Sequence, residues 1–308
     1  MTDTPAPTPQ TSSSAAPLWI AVMPGVFVLL WSTGFVGARL GMPHAEPFTF
    51  LAYRFTILTV LLGGFSLLVR APWPKDWRET GHTAVAGLLI HGAYLGGVFW
   101  SISHGLPAAF SALIVGVQPL LTAVAAGPYL GEKVTARQWT GFLLGFCAVV
   151  LVVADDVNLG SAYFYGILAN IVSLLGITIG TLYQKRHGTN MDLRTGSVVQ
   201  FAATGAAMIL LAALFEQGRF EWNGESIFAM VWLVFVLSLG AITLLLILIR
   251  RGAASKVASL FYLVPPAVAL EAYLLFGETL DTGDIAGMAV AMAAVALVTR
   301  QGKSKKDT

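Results

Sequence analysis

Ten apolar segments, each long enough to cross a lipid bilayer, restrict the fold of this chain more than any other feature. About 20 apolar residues span the hydrocarbon core as a helix. An isolated strand in lipid would leave its backbone polar groups unsatisfied, so the segments must be helical. The sequence therefore predicts an all-α integral membrane protein with ten transmembrane helices. The predicted spans are 18–38, 47–69, 83–103, 107–129, 138–154, 163–184, 195–215, 227–249, 254–276 and 284–300.

The composition agrees with this class and places the polar sequence at the two ends of the chain. Hydrophobic residues make up 56% of the sequence and charged residues 11%, whereas a soluble domain carries about a quarter charged residues. Residues 1–17 are rich in Pro, Ser and Thr and are predicted to form a disordered cytoplasmic tail. Residues 301–308 form a short basic tail, also predicted to be cytoplasmic.

The second half of the chain repeats the first when the sequence is shifted by 146 residues. Pro119 then falls on Pro265, and Gly131-Glu132 falls on Gly277-Glu278. The repeated units are 18–154 and 163–300, each with five spans. An odd number of spans inserts the second copy upside down, so two inverted five-helix repeats are predicted. Glu132 and Glu278 are expected to cap the next helix or to pair with nearby basic residues.

The distribution of charge predicts the orientation of the chain in the membrane. Starting from the first tail, alternate loops carry 15 of the 18 lysines and arginines. Basic residues collect on the cytoplasmic side of membrane proteins, so both termini are predicted to be cytoplasmic and the protein to lie in the cell inner membrane. The opposite loops collect acidic residues, namely Glu46, Asp155, Asp156, Glu216, Glu221, Glu225, Glu278, Asp281 and Asp284.

Several short motifs resemble those of a known transporter family. They are Trp31-Ser32-Thr33-Gly34-Phe35, Pro47-Phe48 followed by Arg54, Gln118-Pro119 with Gly131-Glu132, and Val264-Pro265 with Gly277-Glu278. Together with ten spans in inverted halves, they resemble the drug/metabolite transporter superfamily, in its ten-helix branch of paired EamA domains. The resemblance implies ten helices around a central cavity and a secondary transporter that exports small metabolites, often amino acids. The branch also includes importers.

Two ionisable side chains inside the predicted spans, Arg54 and Glu271, are candidate coupling residues. Arg54 lies about 10 Å from the outer end of its span, at a rise of about 1.5 Å per residue, and Glu271 lies at a similar depth. Charges in a bilayer are costly and mark functional sites or ion pairs. Three interpretations stay open: a proton-coupling carboxylate beside Arg54, a structural ion pair, or two groups that reach the outer surface separately.

Polar and aromatic side chains near the middle of several spans are candidates for binding a solute. Each of spans four and nine has a polar stripe that leads into a proline, and a helix broken there can offer backbone groups to a substrate. The alternatives are an ordinary kinked helix, or aromatic residues that serve packing and the interfacial belt. The candidate substrate-binding residues are Trp31, Tyr94, Gln118, Asn170, Ser259 and Tyr262.

The sequence has no motif for ATP hydrolysis, metal binding or nucleophilic catalysis, so we predict a transporter without cofactors rather than an enzyme. The expected partners are a small-molecule solute and membrane lipid, with protons as a candidate coupling ion. Nucleic acid is not expected, and the protein is predicted to be a monomer or a homodimer. The rival hypothesis is a membrane-embedded enzyme or flippase that acts on a lipid-linked substrate.

Overall fold

The computed structural model describes residues 18–131, 134–155, 161–187, 191–241, 244, 247–248, 259–279 and 281–299. Within these residues the chain forms ten helices, with a 3-10 turn at Ser259–Leu263 before the ninth. Both predicted tails lie outside the described residues. The helices are α1 Leu18–Gly41, α2 Pro47–Leu68, α3 Trp77–Ser103, α4 Ala108–Leu130, α5 Ala136–Asp155, α6 Ser161–His187, α7 Leu193–Phe215, α8 Gly224–Ala241, α9 Val264–Phe276 and α10 Thr282–Thr299.

Most of these helices have the length and composition of membrane spans. Seven of the described helices are long and apolar enough to cross a bilayer, namely α1, α2, α3, α4, α6, α7 and α8. The described parts of α9 and α10 are shorter apolar helices. Large apolar side chains such as Leu68, Leu214 and Phe215 are exposed on the outside of the bundle. Exposure of that kind suits contact with lipid and would be costly in water.

The packing of the helices has two-fold symmetry, because exchanging the two repeats leaves the set of contacting helix pairs unchanged. Helices α2 and α7, α4 and α9, and α5 and α10 pack as equivalent pairs. Helix α1 contacts α8, and the equivalent contact in the other repeat is that of α6 with α3. Helix α1 also contacts α9, and the equivalent contact is that of α6 with α4. Each repeat therefore buries its core mainly against the other repeat.

Equivalent helices run antiparallel, as an inverted repeat requires. Glu216, just after the end of α7, accepts hydrogen bonds from the backbone N–H groups of Phe48 and Thr49 at the start of α2. Further along, Gly205 of α7 packs against Phe55 of α2. The end of one helix thus lies beside the start of its equivalent. This confirms the prediction of two inverted five-helix repeats, since five crossings separate the two helices.

Helices α3 and α6 approach so closely that glycine is required where they touch. A Cβ atom on Gly97 would overlap the Ala169 carbonyl oxygen and the Ser173 hydroxyl. On Gly176, a Cβ would lie 2.8 Å from the Cβ of Ala93 and 3.1 Å from the Leu89 carbonyl oxygen. Small residues let helix backbones pack closely in membranes, where water contributes no hydrophobic drive between helices.

We expect Gly97→Ala to destabilise the bundle by about 1–3 kcal/mol, because backbone atoms of α6 would have to move to admit one methyl group. The measurement is the thermal unfolding midpoint of the purified protein in detergent. Gly25→Ala is the matched control, since a Cβ at Gly25 meets no atom within 4 Å. Equal midpoints for the two variants would contradict the close approach of α3 and α6.

Candidate functional site

A cavity of about 390 Å³ lies in the middle of the bundle, between the two repeats. Its volume is that of a pocket for a small organic molecule, which usually falls between about 300 and 1,000 Å³. Its walls come from α1, α2, α3, α4, α6, α7 and α8, and from the broken start of α9. The sequence predicted solute-binding residues on most of these helices, but none of those candidates lies on α2 or α7. The polar and aromatic lining residues include Trp31, Arg54, Phe55, His91, Tyr94, Gln118, Thr181, Phe201, Ser238 and Phe261.

Two broken helices, α4 and α9, meet at one side of the cavity. Helix α4 is interrupted at Val117 and resumes at Gln118 with Pro119 in its first turn. Helix α9 begins in the same way, with Pro265 in its first turn after the 3-10 segment. A Cβ on Gly116 would lie only 2.9 Å from the Pro265 Cγ. The two breaks therefore pack directly on each other, and the break predicted at each proline is confirmed.

Two further irregular segments border the cavity, and both are π-helical. They occupy Leu88–Ala93 in α3 and Trp232–Ala241 in α8, which are equivalent helices of the two repeats. The first carries His91 and the second carries Ser238, and both of these side chains line the cavity. Segments of this kind are rare and occur frequently at functional sites. No residue pattern in the sequence indicated them.

Aromatic side chains cover much of the remaining cavity wall. Trp31 of α1 makes an edge-on contact with Phe261, with ring centroids 5.1 Å apart, and Phe27 lies 5.4 Å from both rings. On the opposite side, Phe55 and Phe201 lie 5.8 Å apart. Aromatic pairs at these distances are mutually attractive and resist deformation. The cavity is thus mostly apolar with a few polar groups.

Arg54 is the charged group in the cavity wall. Its side chain is 3% exposed, and its Nη2 donates a 3.0 Å hydrogen bond to the Ser238 hydroxyl of α8. The guanidinium carbon lies 5.9 Å from the centre of the Phe55 ring. Nε and Nη1 are buried and have no hydrogen-bond partner among the described residues. Most of the hydrogen-bonding capacity of this guanidinium therefore remains unused.

Glu271 does not contact Arg54 in this structure, which argues against the two interpretations that place these side chains together. Its Oε1 accepts a 2.7 Å hydrogen bond from the Ser32 hydroxyl of α1. Its Oε2 is buried without a hydrogen-bond partner among the described residues. The physical reason is helix rotation: Glu271 lies on the side of α9 that faces α1, while Arg54 points from α2 toward α8. Similar depth in the membrane did not imply contact.

The other predicted binding residues divide into three groups. Trp31, Tyr94 and Gln118 line the cavity, and the Gln118 side-chain amide also donates a 2.9 Å hydrogen bond to Thr122. Asn170 is fully buried but does not line the cavity, and both of its amide atoms lack a hydrogen-bond partner in the described part of the chain. The side chains of Ser259 and Tyr262 lie outside the described residues.

One end of the bundle, which we call the acidic end, is held together by glutamates that bridge the repeats. Arg39 at the end of α1 forms a 2.9 Å ion pair with Glu278. The other carboxylate oxygen of Glu278 accepts a 3.2 Å hydrogen bond from the Ala108 backbone at the start of α4. We call this arrangement the Arg39–Glu278 clamp. It joins α1, α4 and α9; the sequence predicted that Glu278 either caps the following helix or pairs with a nearby basic residue.

A glycine after α9 ends the helix and positions Glu278 next to its partners. Gly277 has a left-handed φ of 67°, which ends the helix. The backbone N–H of Glu278 then bonds back to the Ala272 carbonyl at 3.3 Å, and that of Gly277 to Tyr273 at 3.0 Å. These bonds form the usual closing motif of a helix and satisfy its last carbonyl groups. The Gly-Glu pair therefore works as a helix stop followed by a fixed carboxylate.

The turn between α1 and α2 adds a second connection at the acidic end. His44 contacts two carboxylates, Glu225 in the first turn of α8 at 2.8 Å and Glu221 just before this helix at 3.4 Å. The hydrogen bond to Glu225 raises the pKa of His44 above 6.5, and Glu221 adds to the effect. A raised pKa means that this connection stabilises the fold when His44 is protonated and weakens as the pH rises through the raised pKa. Both repeats are thus linked again at this end.

The described residues contain no group of three or more His, Cys, Asp or Glu side chains that could hold a metal ion. The protein groups at the cavity are a cation, hydroxyl and amide groups, an imidazole and aromatic rings. Groups of this kind bind and orient an organic molecule.

Comparison with known proteins assigns the family. The model of the EamA-like transporter family matches residues 18–154 and again residues 164–300. The chain belongs to the EamA-like transporter family. Membership confirms the resemblance to the drug/metabolite transporter superfamily and makes the protein a multi-pass membrane transporter.

Relatives of this EamA-like transporter include named efflux proteins. The chain is 25% identical over 293 residues to "Uncharacterized transporter YvbV" of Bacillus subtilis, covering 93% of each chain. It is 23% identical to a "Probable amino-acid metabolite efflux pump" of Salmonella typhimurium, covering 86% of this chain and 90% of the relative. It is 25% identical to a "Probable terminal-alkyne amino-acid exporter" of Streptantibioticus cattleyicolor, covering 89% of this chain and 91% of the relative.

A solved structure has the same fold. A crystal structure at 21% sequence identity superposes with a TM-score of 0.64, covering 90% of this chain and 96% of that chain. At this identity the likeness concerns the fold alone.

Proposed function

We propose that this protein is a secondary transporter that exports a small organic metabolite, such as an amino acid, by alternating access. The observation that carries the proposal is the 390 Å³ cavity between two inverted repeats, bordered by broken and π-helical segments from both of them. Relatives named as amino-acid efflux pumps and exporters favour a solute of that class. A membrane-embedded enzyme or flippase has no comparable support.

The two-fold relation suggests how the cavity opens to one side at a time. The Arg39–Glu278 clamp closes the acidic end of the bundle in this structure. A shift of 146 residues relates Arg39 to Lys185 and Glu278 to Glu132 in the sequence, and this second pair belongs to the opposite end. In the proposed cycle, rocking of the repeats opens the clamp at the acidic end and closes the bundle at the opposite end. Such rocking is the expected behaviour of inverted repeats around a fixed site.

The orientation of the cycle follows from charge. The acidic end carries few basic residues, while the loops at the other end carry most of them. Under the positive-inside rule, the acidic end faces outward from the cell inner membrane and both termini are cytoplasmic. The clamp is then an outer gate, and its closure leaves the solute to enter from the cytoplasm.

The first experiment is efflux from proteoliposomes loaded with a labelled amino-acid mixture. We expect selective and saturable efflux, with trans-stimulation by unlabelled solute that distinguishes a carrier from an enzyme, a flippase or a channel. Gly34→Trp should reduce efflux at least about tenfold, because the indole would fill the cavity that Gly34 lines. Gly25→Trp, on the same helix but in open space, should retain it. Equal efflux from both variants would contradict transport through this cavity.

Loss of the Arg39–Glu278 clamp should open the outer end more often. The accessibility of Gln118→Cys, in a Cys147→Ser background, to an impermeant thiol reagent added outside reports this opening. We expect Arg39→Gln to raise the labelling rate about two- to fivefold, since a partly exposed ion pair is worth up to about 1 kcal/mol. Arg219→Gln, which removes an exposed pair with Glu221 at the same end, is the matched control. An unchanged labelling rate in Arg39→Gln would exclude a gating role for the clamp.

Glu271 is the residue we assign to proton exchange, because its unpartnered Oε2 can take up a proton between the cavity region and α1. We expect Glu271→Gln to abolish the response of efflux to an imposed pH gradient while leaving counterflow intact. Glu79→Gln, a substitution of a glutamate in the first turn of α3 and outside the cavity wall, should leave both unchanged. If Glu271→Gln transports with the same pH dependence as the wild type, the coupling role is wrong.

A further inference from the structure

We propose that Arg54 binds a carboxylate of the transported solute, and that the cavity selects carboxylates with an apolar or aromatic body. The inference rests on the proposed transport function and adds the chemical class of the solute and the group that recognises it. Its basis is a fully buried guanidinium in the cavity wall with unused N–H groups.

The unpaired N–H groups of Arg54 suit a two-pronged contact. A guanidinium carries five N–H donors, and one N–H of Nη2 is occupied by Ser238. The two N–H groups of Nη1 and the second one of Nη2 lie at the end of the side chain. Carboxylates pair with such an end through two parallel hydrogen bonds, which are stronger than bonds between neutral groups. Ser238 fixes the orientation of the fork, and the Ser238 hydroxyl is itself held by a 2.9 Å bond to the Leu233 carbonyl.

No acidic residue lines the cavity within the described chain, so the charge of Arg54 lacks a counter-ion from the protein. The nearest candidate by depth, Glu271, is bonded to Ser32 instead. A buried charge without a partner is costly, and in a membrane such residues face a substrate path or pair with one another. An anionic group on the solute would supply the missing charge. It would also satisfy the unused donors.

The repeat provides an internal comparison. Arg54 of α2 corresponds to Gln200 of α7 in the sequence. Gln200 contacts His91 across the bundle at 3.3 Å, just as Arg54 contacts Ser238. The polar contact is thus retained in both repeats, but only the first carries a charge. Because Gln200 makes the equivalent contact without a charge, a charged side chain is not needed to hold α2 to α8. The charge of Arg54 is therefore available for another role.

The other residues that line the cavity indicate the chemistry of the solute beyond its carboxylate. Trp31, Phe55, Phe201 and Phe261 present aromatic surface, which favours an apolar or ring-bearing body. An ammonium group of an amino acid would meet aromatic faces and neutral polar groups rather than a carboxylate. The carboxylate is therefore the group that the cavity requires, and the amino group is tolerated.

The test uses three probes that differ in one group each: L-phenylalanine, L-phenylalaninamide and 3-phenylpropionate. Binding to the purified full-length protein in detergent is measured by thermal stabilisation, and transport by proteoliposome efflux. We expect the wild type to bind the two carboxylates and to reject the amide. Arg54→Gln should weaken carboxylate binding by about ten- to a hundredfold, the value of a hydrogen bond to a charged group. Arg54→Lys should be intermediate because it keeps the charge and loses the fork.

The controls separate the inference from a general loss of fold and from the transport proposal. Arg78→Gln removes an exposed arginine that stacks on Trp77 outside the cavity, and should bind like the wild type. Carboxylate-selective binding that depends on Arg54, without efflux, would support the binding site and contradict transport. Efflux of some solute without any carboxylate preference would support transport and overturn the inference. Carboxylate selectivity that is lost in Glu271→Gln but kept in Arg54→Gln would also overturn it.

Discussion

The contact between Gly116 and Pro265 is the point on which the rest of the structure depends. In lipid, a break in a helix is tolerated only where protein or a polar cavity surrounds the freed backbone groups. Because the breaks of α4 and α9 lie against each other, each one is shielded by the other repeat. The same junction lines the cavity, so the site exists where two helices cannot continue regularly. The breaks also lie at equivalent positions of the two repeats, since a shift of 146 residues relates Pro119 to Pro265.

The repeats share a backbone plan, but their chemistry has diverged at the cavity. The equivalent positions of Arg54 and Gln200 keep a hydrogen bond across the bundle in both halves. Only one of them adds charge, and aromatic Trp31 has the aliphatic Ile177 as its counterpart. In the proposed transport cycle, the symmetry of the backbone lets the cavity open in two directions, while the difference between the side chains of the two repeats gives the solute one orientation. Both properties are needed if a solute is to bind in one orientation and leave on the other side.

Hydropathy alone predicted ten helical segments, since membrane insertion depends on the length of apolar runs, but α9 begins at Val264 rather than at 254 and α3 at Trp77 rather than at 83. The break at Pro119 and the lining positions of Trp31, Tyr94 and Gln118 could also be predicted, because proline chemistry and mid-span polarity are local. The partner of Glu271 could not, since it depends on the rotation of α9 about its axis. The π-helical segments were equally hidden, because their hydrogen-bond shift has no residue signature.

The interface between α1 and α9 connects the cavity to the acidic end. Ser32 and Arg39 are seven residues apart on α1, and their partners Glu271 and Glu278 are also seven residues apart. A spacing of seven residues returns Ser32 and Arg39 to the same face of α1 after two turns, so the two contacts lie on one seam along α1. The start of α9 lies against the cavity, and Glu278 of the clamp follows its end. In the proposed transport cycle, a change in the protonation of Glu271 acts on the same seam that holds the Arg39–Glu278 clamp closed, so proton exchange has a direct physical route to the proposed gate.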